Sequence, residues 1–495
     1  MGKAGKARKR RRGELGACRV EPVPAVASYE GPVSGGHISS ADVAAATRVL
    51  TAMAQGEGDM DRWRGKEFKG LRAALHALRQ SDWAGMVLGF GKRVVSETQV
   101  VSDALRDGRL DDASAALEAM RAKGTVPKLG AVCRWVRDCD AIGTGMGAGT
   151  GGEGGGSLAK LFPLLDLILR TADPGQVGAM RTQTALQGLE MPAVSVAEGG
   201  GRVRAFPSWA PPKQGGDAPP PSEIVPPSGG WAAGFRVCQH VPAAERKPPN
   251  VYDLHIWTSV PGALALDEGF GDTAMVPVPF LPDSFVVCGA FSRAECARVV
   301  AAGEAVGFEP DEPAGGSATE KQSVLAHAFV WCVDGAFANA FWQDRIAPHL
   351  PPSLAGCAVG LNRRWRVYRY VPGAAYRIHI DGAWPGSGLD EHGDYVYDAY
   401  GDGTWSQMTC LIYLNDGFGG GETKFYIPSP MDPSSHGVLD CRGIVPSAGA
   451  ALFFPHGAAG RTLLHEGSGV AEGGVKYVIR TDLLFRPADP TATVD

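Results

Sequence analysis

The chain lacks any uninterrupted apolar run of the roughly 18–20 residues that a membrane helix needs, so no helix spanning a bilayer is expected. Its ten cysteines include no Cys-x-x-Cys pair, which removes the common thiol-redox and structural-zinc spacings; reduced thiols in an intracellular protein are the expectation. Charge of one sign is also scarce: 48 Lys and Arg stand against 53 Asp and Glu, a net −5, which makes no whole-chain case for a nucleic-acid partner. The glycine run at 143–157 has no Gly-Lys-Ser/Thr after it and no strand before it, so it reads as a linker rather than a phosphate loop.

What is there divides the 495 residues into four parts. Residues 1–37 form a basic tail expected to be disordered, with Arg8-Lys9-Arg10-Arg11-Arg12 and no apolar core behind it, so it is no secretory signal. A nuclear-localisation or RNA-contacting tail fits it, as does a solvated tail; cytoplasm or nucleus is the expected compartment, with organelle import left open. Residues 38–180 carry helical spacing, first at Ala41–Met53 and Phe68–Leu78 and then through Val100–Pro127. That last segment, with Gly108 to Ala113 at the joint and Gly124 to Pro127 at the close, is similar to a pentatricopeptide repeat, a resemblance that implies RNA binding. Stacked repeats need about three units; one is legible, so a small helical-hairpin domain for packing or protein contact is the competing expectation. Leu158–Thr171 reads as a short helix docking on that domain. Residues 181–250, with Pro211-Pro212 and Pro219-Pro220-Pro221, read as an extended linker, and 251–495 as a catalytic domain with its core at 280–487.

The chemistry-bearing residues lie between Tyr370 and Arg480. His379 and Asp381 stand at i and i+2, which on a strand puts both on one face, and Trp365–Tyr370 upstream is strand-like. His465 follows a second apolar run, Ala450–Phe454. Two imidazoles and a carboxylate form the facial triad of non-heme Fe(II) oxygenases and also occur in catalytic zinc sites, so these ligands leave the metal open. Lys476, on the strand-like run Val475–Phe485 with Val478 and Arg480 on the same face, bears on the choice. A dicarboxylic co-substrate chelating iron through one end needs a cation at the other, an attraction of roughly 4 kcal/mol at about 4 Å and an effective dielectric near 20. His392, in a second His-x-Asp, and His456 compete as ligands but fall in loops.

Tyr370-Val371-Pro372-Gly373 leading into Tyr376–Gly382, Leu411–Asn415, Gly420-Gly421-Glu422-Thr423, Ala451–Pro455 and His465-Glu466-Gly467 with Lys476-Tyr477 together resemble the Fe(II)/2-oxoglutarate-dependent dioxygenases of the prolyl 4-hydroxylase-like group. The resemblance covers about residues 280–487. It implies an α+β chain with a C-terminal double-stranded β-helix (jelly-roll) and an N-terminal all-α domain. It implies Fe(2+) at His379, Asp381 and His465, with 2-oxoglutarate and O2 as co-substrates and ascorbate as a reductant. Tyr370 would contact 2-oxoglutarate, and Lys476 or Arg480 would hold its distal carboxylate; Lys476 is favoured because Tyr477 follows it as in the family. A protein or peptide substrate such as proline is implied first, and the loop 382–404, acidic at Asp390, Glu391, Asp394, Asp398 and Asp402, reads either as a lid favouring a basic or neutral peptide or as a solvated surface loop. The alternative is an RNA- or protein-binding adaptor whose oxygenase domain is inert or acts on nucleic acid.

Overall fold

The computed structural model describes residues 96–145, 155–173 and 203–487 apart from short stretches, the longest at 312–325, together with Ser195–Val196 and three helical positions, Ala44, Thr47 and Val49. The basic tail and nearly all of the helical pattern before residue 95 lie outside the described residues. By contacts, residues 1–94 form one unit and 95–495 a second, and the site lies wholly in the second.

Four helices open that unit: α1 (Glu97–Arg106), α2 (Leu110–Ala122), α3 (Leu129–Gly145) and α4 (Gly155–Ala172). Ser96 caps α1 by accepting from the Gln99 amide at 3.2 Å. The expected α1–α2 hairpin turns at Gly108, whose φ of +71° lies in the left-handed region that only glycine enters without strain. No helix among the described residues is long and apolar enough to cross a membrane.

Most of the remaining described residues belong to two large sheets. A six-stranded sheet runs in the order β1 (Ser195–Val196), β2 (Val203–Ala205), β15 (Leu439–Ile444), β14 (Thr423–Pro428), β17 (Leu464–Gly467), β10 (Tyr376–His379). A ten-stranded sheet runs β3 (Phe235–Val241), β4 (Leu254–Ser259), β7 (His327–Cys332), β9 (Arg364–Tyr370), β18 (Lys476–Phe485), β13 (Trp405–Tyr413), β16 (Ala451–Pro455), β6 (Phe285–Cys288), β5 (Ala274–Pro277), with β8 (Ala358–Leu361) also on β18. A two-stranded ribbon, β11 (Gly388–Leu389) and β12 (Tyr395–Val396), stands in the 382–404 loop. The pairings are antiparallel except β2–β15 and β4–β7. The sheets meet face to face: the rings of Phe425 on β14 and Phe454 on β16 lie 5.1 Å apart, edge to face, in one buried cluster with Tyr413, Leu452 and Val478. Two sheets around a shared core are what the jelly-roll expectation requires.

Helices support the large sheet from behind. Ser292 and Glu295 form the capping box of α5 (Arg293–Val306), and Phe337, Phe341 and Ile346 are buried, with Trp342 partly so, along α6 (Gly335–Ala340) and the π-helical turn that continues it.

The α1–α4 layer shares a buried cluster with Val203, Ile380, Leu439 and Leu464 of the small sheet. On β17, Leu464 faces the helices, while His465 packs against Phe425 and Phe454 inside the barrel, the two-residue alternation of a strand. Leu161, Leu164, Leu165, Ile168 and Leu169 of α4 are buried as expected. Leu167 is buried too, because α4 is covered by helices on one side and the β14–β15 hairpin on the other. The Arg170–Asp166 pair sits inside this contact at 2.8 Å, with Asp166 accepting from the Gly437 amide and Arg170 donating to the Ser429 carbonyl.

The described part of 181–250 includes strands. Its segment β2 joins β15, with Arg204 bridging Asp440 at 2.6 Å, and β3 forms an edge of the large sheet. Proline-rich flanks hid these strands, which are held by their partners rather than by their own composition.

Candidate metal centre and its cavity

β10 and β17 pair antiparallel with His379 directly opposite His465. That register brings together two histidines 86 positions apart, their rings 4.2 Å between centroids. Asp381 follows just beyond β10, and one ligand atom from each of His379, Asp381 and His465 lies within 4.8 Å of the others. The tautomers are set from behind. His379 Nδ1 donates to the Arg377 carbonyl at 2.7 Å and His465 Nδ1 to the Leu463 carbonyl at 2.9 Å, which leaves both Nε2 lone pairs for a ligand. Those atoms stand 3.7 and 3.6 Å from the Asp381 oxygens.

Charge favours the same arrangement. Burial would raise the Asp381 carboxyl, but Arg480, 3.1 Å away, and the two imidazoles hold it well below the carboxylate range. Burial, with His379 adding, pushes His465 down to about 3, so its ring is neutral and able to ligate at physiological pH.

Sequence reasoning missed a second layer. The Thr409 hydroxyl donates to Asp381 Oδ2 at 2.7 Å. Its oxygen must then accept from His456 Nδ1, also at 2.7 Å, and His456 Nε2 accepts from the Ser406 hydroxyl at 2.7 Å. Ser406 in turn accepts from the Trp384 amide at 2.9 Å. His456 is therefore not a third ligand: both its ring nitrogens are engaged, and it orients the carboxylate through Thr409. His392 is solvent-exposed beside Glu391, in the β11–β12 ribbon loop. That Thr409 aims at Asp381 was not legible in the sequence.

The triad opens into a cavity of about 430 Å³, within the size range of small-ligand sites. Lys476, Tyr370 and Arg480 line it. Lys476 and Tyr370 are register partners on β18 and β9. The Lys476 ammonium is 2 % exposed, donates to the Gly421 carbonyl at 2.7 Å and lies 4.9 Å from the Tyr370 ring centre. No carboxylate among the described residues reaches it within ion-pairing distance, and burial holds it down to about 7 despite Glu422 nearby. Gly421 has to be glycine: its φ is +71°, and a Cβ there would stand 3.2 Å from Lys476 Cδ and 2.7 Å from the Phe418 ring. Burial raises the Tyr370 hydroxyl well above its ordinary range, so it stays a donor. Arg480, by contrast, is held between Asp381 and Asp482, the latter at 3.4 Å.

The 382–404 loop contributes only Gly382 and Trp384 to the lining. Its acids serve its own turns. Asp390 accepts from the amides of His392 and Asp394, Asp398 from Gly401, and Asp402 from Thr404. The expected acidic face toward an acceptor is absent among the described residues.

No family model matches the sequence, and no curated protein does. Solved structures do. An oxidoreductase of the 2OG-Fe(II) oxygenase family from Burkholderia pseudomallei is 16 % identical with a TM-score of 0.25, covering 41 % of this chain and 84 % of its own. The non-heme alpha-ketoglutarate-dependent epimerase SnoN from nogalamycin biosynthesis is 16 % identical at 0.26, covering 43 % and 86 %. EvdO2 from Micromonospora carbonacea var. aurantiaca, complexed with 2-oxoglutarate, is 10 % identical at 0.23, covering 42 % and 89 %.

Proposed function

We propose that the barrel is a double-stranded β-helix of the Fe(II)/2-oxoglutarate-dependent oxygenases and hydroxylates a C–H bond. The observation that carries this is the pairing of a two-His, one-carboxylate cluster with a buried ammonium that lacks a carboxylate partner, both on one cavity. The donor set fits iron: three ligands from one side leave the other coordination positions open. A hydrolytic zinc site would not need Lys476, whose desolvation is costly unless an anion joins it. When bound, ferrous iron with 2-oxoglutarate and dioxygen supplies the oxidant, and the co-substrate leaves as succinate and carbon dioxide.

The chain's own groups do the positioning. Lys476 holds the distal carboxylate, and Tyr370 donates its hydroxyl to the same ligand. Arg480 neutralises the Asp381 carboxylate, and the Thr409–His456–Ser406 chain fixes its rotation. Lys476 is preferred over Arg480 as the anchor because Arg480 is already engaged by two aspartates. For the acceptor, the resemblance to prolyl 4-hydroxylases puts a protein side chain such as proline first. The test is succinate formation from 2-oxoglutarate by the full-length protein. It should require added ferrous iron and vanish in His379→Ala, whereas zinc-supported turnover or an unaffected variant would refute the reading.

A further inference from the structure

The cavity walls carry far more positive charge than the co-substrate can use. Eight cationic side chains line the cavity against two carboxylates, Asp381 and Glu466. A metal dication and the 2-oxoglutarate dianion cancel each other, so the excess remains. Some of it is answered from behind the walls: Asp311 pairs with Arg246 at 2.9 Å and Arg366 at 3.3 Å, and Asp140 with Arg377 at 2.6 Å.

Arg364 is not answered. Among the described residues, no carboxylate or other hydrogen-bond acceptor engages its guanidinium, which lies 5.7 Å from the ring centre of Trp384. Arg364 and Arg366 share one face of β9, and Arg480 stands opposite Arg366 on β18. Three arginines thus project from one face of this sheet into the cavity lining that also holds Asp381. Arg366 Nε is buried with no partner. Burial, with Arg366 adding, lowers the Arg364 guanidinium from its ordinary range. Arg364 itself is half-buried, so its guanidinium is open to a ligand entering the cavity, and guanidinium forks match carboxylate and phosphate oxygens.

We infer that the acceptor substrate is a small molecule bearing its own carboxylate or phosphate, seated on Arg364 beside Arg366 under Trp384, with its reacting C–H bond directed toward the triad. This rests on the oxygenase reading and departs from the peptide acceptor that the resemblance puts first: a neutral internal peptide residue fits these walls less well than a molecule whose anionic group lies near the oxidised carbon.

Matched pairs of probes decide it. N-acetylproline against N-acetylprolinamide reads a carboxylate, and phenyl phosphate against phenol reads a phosphate. Binding is measured by calorimetry on the full-length protein loaded with Fe(II) and 2-oxoglutarate without oxygen. At least one anion should bind about ten-fold or more tightly than its neutral partner, a gap of about 1.4 kcal/mol. That gap should close in Arg364→Gln and partly return in Arg364→Lys, with 2-oxoglutarate affinity unchanged in both. Neutral probes binding as well as anions, no binding by either pair, or a gap that survives Arg364→Gln would overturn the inference. Should 2-oxoglutarate itself fail to bind, the oxygenase reading falls, and the same pairs on the metal-free protein still decide whether Arg364 receives an anion.

Discussion

The Lys476 ammonium ends 2.7 Å from the carbonyl oxygen of Gly421, buried and without a carboxylate. Its folded-state pKa of about 7 lies below the 10.5 of the unfolded chain. Between those values the unfolded state binds more protons, so stability rises with pH across that window, and below it the cost of the buried charge is present in full. That cost is roughly 4–5 kcal/mol. Lys476→Met should therefore be more stable than the natural protein at pH 6 by a few kcal/mol, read by urea denaturation. It should also bind 2-oxoglutarate roughly 100-fold more weakly, the loss of about 3 kcal/mol in charged hydrogen bonds. A variant that loses stability and keeps its affinity would assign Lys476 to the scaffold.

Thr409 connects Asp381 to His456, and neither neighbour can replace its hydroxyl. Thr409→Val keeps the shape but leaves Asp381 Oδ2 without its donor and His456 Nδ1 without its acceptor. Metal affinity should fall about 10- to 100-fold, the usual range when a partner of a metal ligand is removed. Thr409→Ser should restore most of it. Equilibrium dialysis with Fe(II) or Mn(II) measures the series, and equal affinities across it would show that Asp381 is oriented without this chain.

Legibility followed the physics of each element. His379, Asp381 and His465 could be read because a strand's two-residue period and two apolar runs restrict where ligands project. The two-sheet architecture was expected from the resemblance of residues 280–487 rather than from strand periodicity. What escaped depends on partners distant in sequence. Arg204 and β2 sit in a proline-rich stretch and become a strand only against Asp440 and β15. The α1–α4 layer carries an ordinary amphipathic signal, and nothing in it says that its apolar face meets Leu439 and Leu464. The acidic loop misled because composition does not tell whether an aspartate faces a ligand or its own backbone amides.

The buried Arg170–Asp166 pair fastens α4 to the small sheet. Asp166→Ala would strand a buried guanidinium and remove the acceptor for the Gly437 amide. The expected loss is about 3–5 kcal/mol of unfolding free energy. Asp166→Leu combined with Arg170→Met removes both charges and should cost much less. Chemical denaturation of the two proteins checks this, and equal losses would mean that the backbone contacts at Ser429 and Gly437, rather than the ion pair, hold the layer.

Two truncations separate the contact boundary from the compositional one. Residues 95–495 hold every element that lines the cavity, Cys133 and Arg137 of α3 included. That fragment should fold cooperatively and retain iron-dependent succinate formation near the full-length rate. Residues 181–495 lose α1–α4 and bare Val203, Ile380, Leu439 and Leu464, which are nine-tenths or more buried in the whole chain. Exposing four such side chains forfeits on the order of 6–12 kcal/mol, comparable to the whole stability of a typical domain. The shorter fragment should aggregate or bind a hydrophobic dye without a cooperative melt. If it instead melts sharply and turns over 2-oxoglutarate, the helices are an appended module and the boundary near residue 180 is the real one.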